Sequence, residues 1–282
     1  MKSFENKVAA ITGAASGMGR ALAIALARRG CHLALSDVQA EQLAKTATIA
    51  GSVGRVKITT EHVDVSKRDQ VYTWADATAR AHGRVNLIFN NAGVTYASTI
   101  EGAGYDQFEW IVGINFWGVV YGTKAFLPYL KASGDGHVVN ISSLFGLLGY
   151  PGQGTYTATK FAVRGFTETL REELEIERAP VSATCVHPGG IKTNIARSAR
   201  VSGSLKDLGV EDVEGSAKRF EKMFFRTTAE DAAELILRGV ERNARRVLVG
   251  GDARLLDVVQ RLLPSSYEWM IARWSASRVR PA

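Results

Sequence analysis

The sequence predicts an α/β protein built on a doubly wound parallel sheet of about seven strands, with helices on both faces. Short apolar segments alternate with longer segments whose apolar residues recur at helical spacing. The short segments are apolar almost throughout, as in parallel strands that are covered on both faces. A glycine-rich stretch separates the first apolar segment from the first helical one, and this architecture binds phosphates at that position.

The strands are predicted from apolar runs that are rich in valine, isoleucine and leucine. The third run is longer and more polar than the others, so its strand is placed only within the segment. In chain order the runs are KVAAIT (7–12), CHLALS (31–36), RVKITTEHVDV (55–65), VNLIFN (85–90), HVVNIS (137–142), VSATCV (181–186) and RVLVG (246–250).

The helices are predicted from apolar residues three and four positions apart between those runs. The first of them ends at Gly30, a residue type that commonly follows the end of a helix. In chain order the predicted helices are 18–30, 38–51, about 67–82, about 106–131, about 155–178 and about 228–243. Each follows a strand, which is the order of right-handed crossover units.

The composition is that of an ordinary globular chain: 282 residues, 46% of them hydrophobic and 22% charged. The net charge is +7, but nine arginines and four acidic residues fall from Arg238 onward, so the rest is close to balanced and nucleic-acid binding is disfavoured. Cys31 and Cys185 lie in apolar runs and are expected to be buried, reduced thiols. With neither a signal-peptide pattern nor a membrane-length apolar run, the sequence predicts a cytoplasmic protein.

The stretch TGAASGMG (12–19) is a candidate phosphate-binding loop. Gly13, Gly17 and Gly19 allow the backbone to turn tightly and to approach a pyrophosphate. The N-terminus of the helix that follows offers free N–H groups and the positive end of its dipole. Glycines also form ordinary turns, so it is the position directly after the first strand that favours phosphate binding.

Asp37 lies at the end of the second strand, 18 residues beyond Gly19. A carboxylate at this position accepts hydrogen bonds from the adenosine ribose hydroxyls and repels a 2′-phosphate. No basic residue follows immediately in SDVQAEQ (36–42), so the sequence predicts NAD as cofactor, with NADP less favoured. Asp37 also suits an N-cap of the second helix, and the two roles are compatible.

The spacing Thr-Gly-x-x-x-Gly-x-Gly resembles that of the short-chain dehydrogenase/reductase family, whose members have a Rossmann-type fold. Further motifs agree with that family in order: VDV (63–65), NNAG (90–93), GINFWGVV (113–120), VVNISS (138–143) and HPGGIKT (187–193). The resemblance is strong over about residues 1–193 and weak over 228–250. The cofactor-binding residues that it implies are Gly13, Ser16, Gly17, Met18, Gly19, Asp37, Asp64, Val65, Asn91, Ala92, Gly93, Tyr156, Lys160, Pro188, Gly189, Ile191 and Thr193.

The catalytic residues that the resemblance implies are Asn115, Ser143, Tyr156 and Lys160. A free tyrosine has a pKa of about 10, too high for a base at neutral pH. Because residues four apart share a helix face, Lys160 can place its ammonium near the Tyr156 phenol and lower its pKa. Ser143 can orient the substrate oxygen with a hydrogen bond. By resemblance, Lys160 also holds the nicotinamide ribose, and Asn115 holds a water that relays protons from Lys160 to solvent.

Together these motifs predict an NAD(P)-dependent alcohol dehydrogenase or ketone reductase that acts on a secondary alcohol or ketone. Taken singly, Tyr156 also suits a packed aromatic, Ser143 a strand-end hydroxyl and Asn115 a polar contact inside a helix. The alternatives left open are a nicotinamide-binding regulatory protein without turnover and a membrane-surface carbonyl reductase of lipid or steroid type. The five histidines lack metal-ligand spacing, and neither a Gly-x-Ser-x-Gly nor a Gly-Lys-Ser/Thr motif occurs.

The irregular region 194–227 is predicted to be a substrate lid within a single domain that spans residues 1–282. Its apolar cluster favours a hydrophobic substrate, although packing of the lid on the core would explain it equally well. The cluster consists of Phe220, Met223, Phe224 and Phe225. Leu147, Leu148 and Tyr150 are expected to flank the same pocket.

Residues 252–282 form a predicted C-terminal helical extension. Its apolar residues are Leu255, Val259, Leu262, Tyr267, Met270, Ile271 and Trp274, with Pro264 as an interruption and Arg261, Arg273, Arg278 and Arg280 around them. This pattern suits packing on a partner subunit, on the substrate pocket or on an anionic membrane, of which the membrane is less favoured. By resemblance, we expect a homotetramer or homodimer paired through the helices near 106–131 and 155–178.

Overall fold

A computed structural model of the chain describes residues 1–193, 198–212, 215–216, 221 and 225–279. Within these residues, seven parallel strands form one sheet in the order β3-β2-β1-β4-β6-β7-β9, and two short strands pair separately. The strands are β1 (Val8–Thr12), β2 (His32–Asp37), β3 (Ile58–His62), β4 (Leu87–Asn90), β5 (Tyr96–Ala97), β6 (Gly136–Ile141), β7 (Val181–Pro188), β8 (Arg200–Val201) and β9 (Arg246–Val249). The predicted doubly wound parallel fold is confirmed, with each of its seven predicted strands present.

The helices predicted between the strands are present, and two more follow β9, where a helical extension was predicted. They are α1 (Gly17–Arg28), α2 (Ala40–Val53), α3 (Arg68–His82), α4 (Tyr105–Val112), α5 (Gly118–Ala132), α6 (Gly154–Ile176), α7 (Ala229–Glu241), α8 (Gly251–Leu262) and α9 (Ser266–Val279). No helix of the described residues is long and apolar enough to cross a membrane. Pro264 lies between α8 and α9, where the sequence predicted an interruption.

The central strands of the sheet are buried on both faces, which explains their continuous apolar sequences. All five residues of β1 are buried, and β1 pairs with β2 on one side and β4 on the other. The edge strand β3 is partly exposed, which explains its more polar sequence. Two core clusters cover the two faces of the sheet, one around α1 and α7 and the other around α3, α5 and α6. Cys31 and Cys185 are buried free thiols, as predicted.

The predicted helix 106–131 is interrupted. A π-helical segment, Gly113–Trp117, separates α4 from α5. Asn115 lies in this segment, and its side-chain amide is hydrogen-bonded to the backbone of Val94, twenty-one residues earlier. A π-bulge inserts an extra residue into a helical turn and is frequent at functional sites. Helical periodicity could not predict this interruption, because the bond that fixes Asn115 is not local.

The strand order reverses at β1, because β2 lies on one side of it and β4 on the other. In open α/β sheets the crevice at such a reversal, at the carboxyl ends of the strands, is where ligands bind. The glycine loop follows β1 there, and the NNAG segment follows β4. The helices predicted to pair subunits expose Trp117 and Phe161, and the oligomeric state stays a prediction.

Candidate active site

The glycine loop has a backbone that only glycine adopts readily. Gly13 and Gly17 have φ values of 65° and 52°, in the left-handed region. A Cβ on Gly13 would lie 2.8 Å from the Cα of Ala92, and a Cβ on Gly19 would clash with the carbonyl of Gly13. Ser16 caps α1 without a side-chain hydrogen bond. The loop is therefore a cradle beside the N-terminus of α1, as the sequence predicted.

Asp37 lies at the end of β2 beside this cradle. Its Oδ2 accepts from the backbone N–H of Ala15 at 2.9 Å, and its Oδ1 accepts from that of Gln39 at 2.9 Å. The carboxylate thus links the glycine loop to the turn before α2 while remaining partly exposed to solvent. The nearby guanidinium of Arg20 is bonded to the side chain of Thr46.

Asn91 connects the segment after β4 to the glycine loop. Its Nδ2 donates to the carbonyl oxygens of Thr12 and Gly13 at 2.9 and 3.1 Å, and its side chain lines the main cavity. Ala92 donates its N–H to Thr12 Oγ1. The two loops that border the reversal point of the sheet therefore form one hydrogen-bonded unit.

Asp64 and Val65 lie directly after β3. Asp64 Oδ1 accepts from the N–H and the hydroxyl of Ser66 at 3.0 and 2.7 Å. Val65 is buried against Gly118, where a Cβ would lie 2.9 Å from Val65 Cγ2. Neither residue lines the main cavity.

The side chain of Asn115 is fully buried, and both hydrogens of its amide are donated to protein acceptors. Its Oδ1 accepts from the N–H of Val94 at 2.8 Å, and its Nδ2 donates to the Val94 carbonyl and to Thr159 Oγ1. A Cβ on Gly93 would lie 3.3 Å from Asn115 Oδ1 and 3.5 Å from Lys160 Nζ. The structure therefore brings Asn115 near Lys160, but it uses both amide hydrogens within the protein.

Ser143, Tyr156 and Lys160 meet at the carboxyl end of β6, and all three line the main cavity. The Ser143 hydroxyl lies near the Tyr156 phenol and accepts from the N–H of Phe145 at 3.1 Å. Lys160 Nζ donates to the carbonyl oxygen of Ile141 at 3.0 Å and lies 5.5 Å from the centre of the Tyr156 ring. Helix α6 brings Tyr156 and Lys160 to one face, as their spacing predicted.

Burial dominates the protonation of this cluster. Desolvation raises the pKa of Tyr156 to about 12, and the nearby Ser143 hydroxyl opposes the shift. Desolvation also lowers the pKa of Lys160 to about 8. The expectation that Lys160 lowers the pKa of Tyr156 is thus not met in the chain alone, because the phenol loses its hydration and the lysine holds its own charge weakly.

The segment after β7 lies against the glycine loop. A Cβ on Gly17 would lie 3.2 Å from Thr193 Cγ2, and Ile191 is buried. Pro188, Gly189, Ile191 and Thr193 all line the main cavity.

Sequence reasoning missed Asp252, whose Oδ2 accepts from the N–H of Gly190 at 2.6 Å. A Cβ on Gly189 would clash with the same carboxylate. The only sequence signal for it is an acidic residue directly after the Gly-Gly that ends β9.

Sequence reasoning also missed His187, which is fully buried behind Ser143. Its Nδ1 donates to the Ser143 carbonyl at 2.9 Å. Burial lowers the pKa of His187 to about 4, so the ring is neutral near pH 7. Another missed residue, Ser142, donates its hydroxyl to the Lys160 carbonyl at 2.8 Å. Their positions beside the Pro-Gly and Ser143 motifs were the available signals.

The main cavity has a volume of about 640 Å³, and Met18 of the glycine loop lines it. Most of its other lining residues are apolar, and we call the part that they form the apolar chamber. Leu148 and Tyr150 line it as predicted, whereas Leu147 is buried behind them in a side cluster. The described part of the predicted lid contributes Leu205, Leu208, Val210 and Phe225. Phe220, Met223 and Phe224 lie outside the described residues.

The C-terminal helices also reach the cavity. Of the predicted apolar set, Val259, Tyr267, Met270, Ile271 and Trp274 line the cavity. Leu255 and Leu262 instead face solvent, with exposed fractions of 64% and 74%. Arg261 pairs with Asp257, and the Arg273 guanidinium lies over the Trp269 ring. The side chain of Arg278 and residue Arg280 lie outside the described part of the chain.

These residues fit a bound nicotinamide dinucleotide. The cradle that Cβ atoms would fill lies at a helix N-terminus, where a pyrophosphate is stabilised. Asp37 lies about one strand away, at the position of a ribose ligand. Thr193, Lys160 and Tyr156 line the same cavity as Met18 of the glycine loop. When bound, such a cofactor supplies or accepts the hydride of an oxidoreductase.

The chain belongs to the short-chain dehydrogenase/reductase family. Residues 7–202 match the family described as short chain dehydrogenase. Over 96% of each chain, the sequence is 48% identical to SadH of Mycobacterium tuberculosis, a protein named as an oxidoreductase. The protein is accordingly an oxidoreductase of this family.

Two further relatives bear on the fold and the cofactor. The chain is 34% identical to 11-beta-hydroxysteroid dehydrogenase 1A of Arabidopsis thaliana, over 93% of this chain and 74% of that one. A short-chain dehydrogenase/reductase from Burkholderia phymatum, solved in complex with NAD, superposes with a TM-score of 0.86. The two are 30% identical, and the match covers 95% of this chain and 97% of that one.

Proposed function

We propose that this oxidoreductase interconverts an apolar secondary alcohol and the corresponding ketone, with NAD as cofactor. The observation that carries the proposal is the cluster of Ser143, Tyr156 and Lys160 at the junction of the dinucleotide cradle and the apolar chamber. A hydroxyl, a phenol and an ammonium at such a junction can bind and protonate a carbonyl oxygen while hydride reaches its carbon.

The reacting oxygen lies between Ser143 and Tyr156 in this proposal. In reduction, the Tyr156 phenol gives its proton to the oxygen as the carbonyl carbon accepts hydride, and Ser143 donates a hydrogen bond to the same oxygen. In oxidation, the phenolate takes the proton back. Lys160 holds the cofactor ribose and stabilises the phenolate, because its ammonium charge acts at short range in a site that excludes water.

Asn115 acts as a positioning residue. Its amide is hydrogen-bonded to the Val94 backbone and so holds the π-helical segment in place beside Lys160. His187 supports Ser143 in the same way, through the bond from its ring to the Ser143 carbonyl.

The test of this function is turnover. Purified protein is assayed with a panel of secondary alcohols and ketones, with each nicotinamide cofactor, by the change in nicotinamide absorbance. We expect alcohol oxidation with NAD and ketone reduction with NADH. Cofactor binding measured by calorimetry without turnover on any member of the panel would contradict the proposal and favour a non-catalytic regulatory protein.

The NAD preference is proposed to rest on Asp37. Its carboxylate would repel the 2′-phosphate of NADPH, and its removal takes this negative charge away. We expect Asp37→Ser to lower the ratio of kcat/KM for NADH over NADPH by about 10- to 100-fold, the equivalent of about 1.4 to 3 kcal/mol.

Glu41→Ser is the matched control, because Glu41 is an exposed acid four residues along that pairs with Lys45. This variant should leave the ratio unchanged. An unchanged ratio in Asp37→Ser itself would mean that another group discriminates between the two cofactors.

A further inference from the structure

The polypeptide turns back over the sheet after β9 and forms one wall of the main cavity with two helices. Helix α8 contributes Leu256, Val259 and Gln260, and helix α9 contributes Tyr267, Met270, Ile271 and Trp274. The family match ends at residue 202, so this wall lies in the part of the chain that the match does not cover. We call these two helices the C-terminal wall.

Buried charge fixes the C-terminal wall to the sheet. Asp257 is 6% exposed and lies 3.0 Å from Arg246 Nη1, at the start of β9, and 3.1 Å from Arg261 Nε. Asp252 accepts the N–H of Gly190 in the segment after β7. A buried carboxylate with two guanidinium partners is costly to break, so α8 is held in one position.

The wall packs directly on the turn that carries Ser143. Tyr267 and Ile271 of α9 belong to one apolar cluster with Leu144 and Leu148, which follow Ser143 in that turn. Phe145 in the same turn meets the Tyr156 ring edge-on at 6.2 Å. The wall therefore faces the part of the cavity that lies next to the reacting groups.

The chemistry of the lining restricts what it can bind. Among the described lining residues, Lys160 is the only cation and Asp252 the only anion, and Asp252 is already bonded to Gly190. Phe145, Leu205 and other apolar side chains also line the chamber. Among the described lining residues, a carboxylate or phosphate on the distal part of a substrate would find no charged partner, and its desolvation there is strongly unfavourable.

We infer that the C-terminal wall determines specificity and that the substrate is an uncharged ketone or alcohol with a long apolar body packed against Ile271 of α9. This inference rests on the proposed function for the position of the carbonyl group. It goes beyond it in assigning the apolar body of the substrate to helices outside the matched family region.

The test uses linear 2-alkanones of increasing length, with two readouts: kcat/KM for reduction, and the dissociation constant measured by calorimetry on cofactor-loaded protein. In the wild type, affinity and kcat/KM should rise about fourfold with each added methylene until the chamber is full, the effect of burying one methylene. A keto acid of the same length, with its carboxylate at the distal end, should bind at least about 30-fold more weakly because its charge is desolvated.

Ile271→Ala and the milder Ile271→Val should weaken the long ketones by a larger factor than the shortest ones. We expect about a tenfold loss of kcat/KM for the longest ketone in Ile271→Ala, since methylene groups lose their contacts. Leu262→Ala is the matched control, because Leu262 is a large aliphatic residue on the outer face of α8. Leu262→Ala should change neither the rise of kcat/KM with chain length nor the affinity for the ketones.

The outcomes separate this inference from the proposed function. Turnover that is independent of chain length, or equal binding of the keto acid, overturns the inference and leaves the function standing. If binding strengthens with chain length and depends on Ile271 but no turnover occurs, the role of the C-terminal wall in binding is supported and the proposed function is refuted. Equal losses for short and long ketones in Ile271→Val would also overturn the inference, because they indicate a general structural defect.

Discussion

Tyr156→Phe is expected to lower kcat/KM for ketone reduction by about a thousandfold or more, within the range of general acid–base catalysis. The variant removes one oxygen from a residue that is 9% exposed and keeps the ring that packs against Phe145. No other acidic hydrogen in the cluster replaces the phenol, because the ammonium of Lys160 is directed at the Ile141 carbonyl. Steady-state rates of oxidation and reduction measure the loss.

Two comparisons make this result specific. Cofactor affinity measured by calorimetry should stay within about threefold of the wild type, as expected for a group that acts on the transition state and not on cofactor binding. Tyr96→Phe is the matched control: Tyr96 is a buried tyrosine of the same apolar cluster that does not line the main cavity. Turnover by Tyr156→Phe at more than about a tenth of the wild-type rate would exclude Tyr156 as the proton donor.

Lys160→Met should have an effect of similar size, about a thousandfold on kcat/KM, and should also weaken cofactor binding. Methionine fills the buried space of the lysine stem but cannot donate to the Ile141 carbonyl or hold a charge beside the phenol. Because burial lowers the pKa of Lys160 to about 8, the native state carries the ammonium at a cost below that pH. The variant should therefore be at least as stable at pH 7, so lost activity cannot be attributed to unfolding.

The pH profile distinguishes an electrostatic role of Lys160 from a packing role. In the wild type, alcohol oxidation should rise as the coupled pair of Tyr156 and Lys160 loses its first proton, near the Lys160 pKa of about 8. In Lys160→Met the rising limb should move to higher pH, because only the Tyr156 phenol, whose pKa burial raises, is then left to ionise. Lys124→Met, at an exposed lysine of α5, is the control. A variant whose rising limb stays near pH 8 would show that this ionisation does not belong to Lys160.

The candidate site could be located from the sequence to a large extent. The positions of Tyr156 and Lys160 on α6, of Ser143 after β6 and of the glycine loop after β1 are those predicted. These predictions succeed because they depend on local properties: helical spacing, strand ends and the backbone freedom of glycine. Parallel strands then bring their carboxyl ends to one edge of the sheet.

The pKa values of the site residues and the hydrogen bonds that hold these residues in place could not be predicted from local sequence patterns. The pKa of Tyr156 moves opposite to the sequence-based expectation, because desolvation depends on what packs around the phenol. The Asn115 amide is hydrogen-bonded to the Val94 backbone, and the His187 ring on β7 donates a hydrogen bond to the Ser143 carbonyl. These contacts join residues that are 21 and 44 positions apart, and no local pattern encodes which of them meet.

For the C-terminal residues, too, local sequence predicted the helices but not what the helices pack against. The spacing of Val259, Tyr267, Ile271 and their neighbours predicted apolar helix faces but left a partner subunit, a pocket and a membrane all open. The tertiary structure assigns one face to the main cavity and leaves Leu255 and Leu262 in solvent. The order of the elements and the identity of the reactive groups could be predicted from the sequence, since both follow from local periodicity and chemistry. What each apolar face covers and how far each ionisable group is desolvated depend on segments distant in the chain, so these properties are seen only in the folded structure.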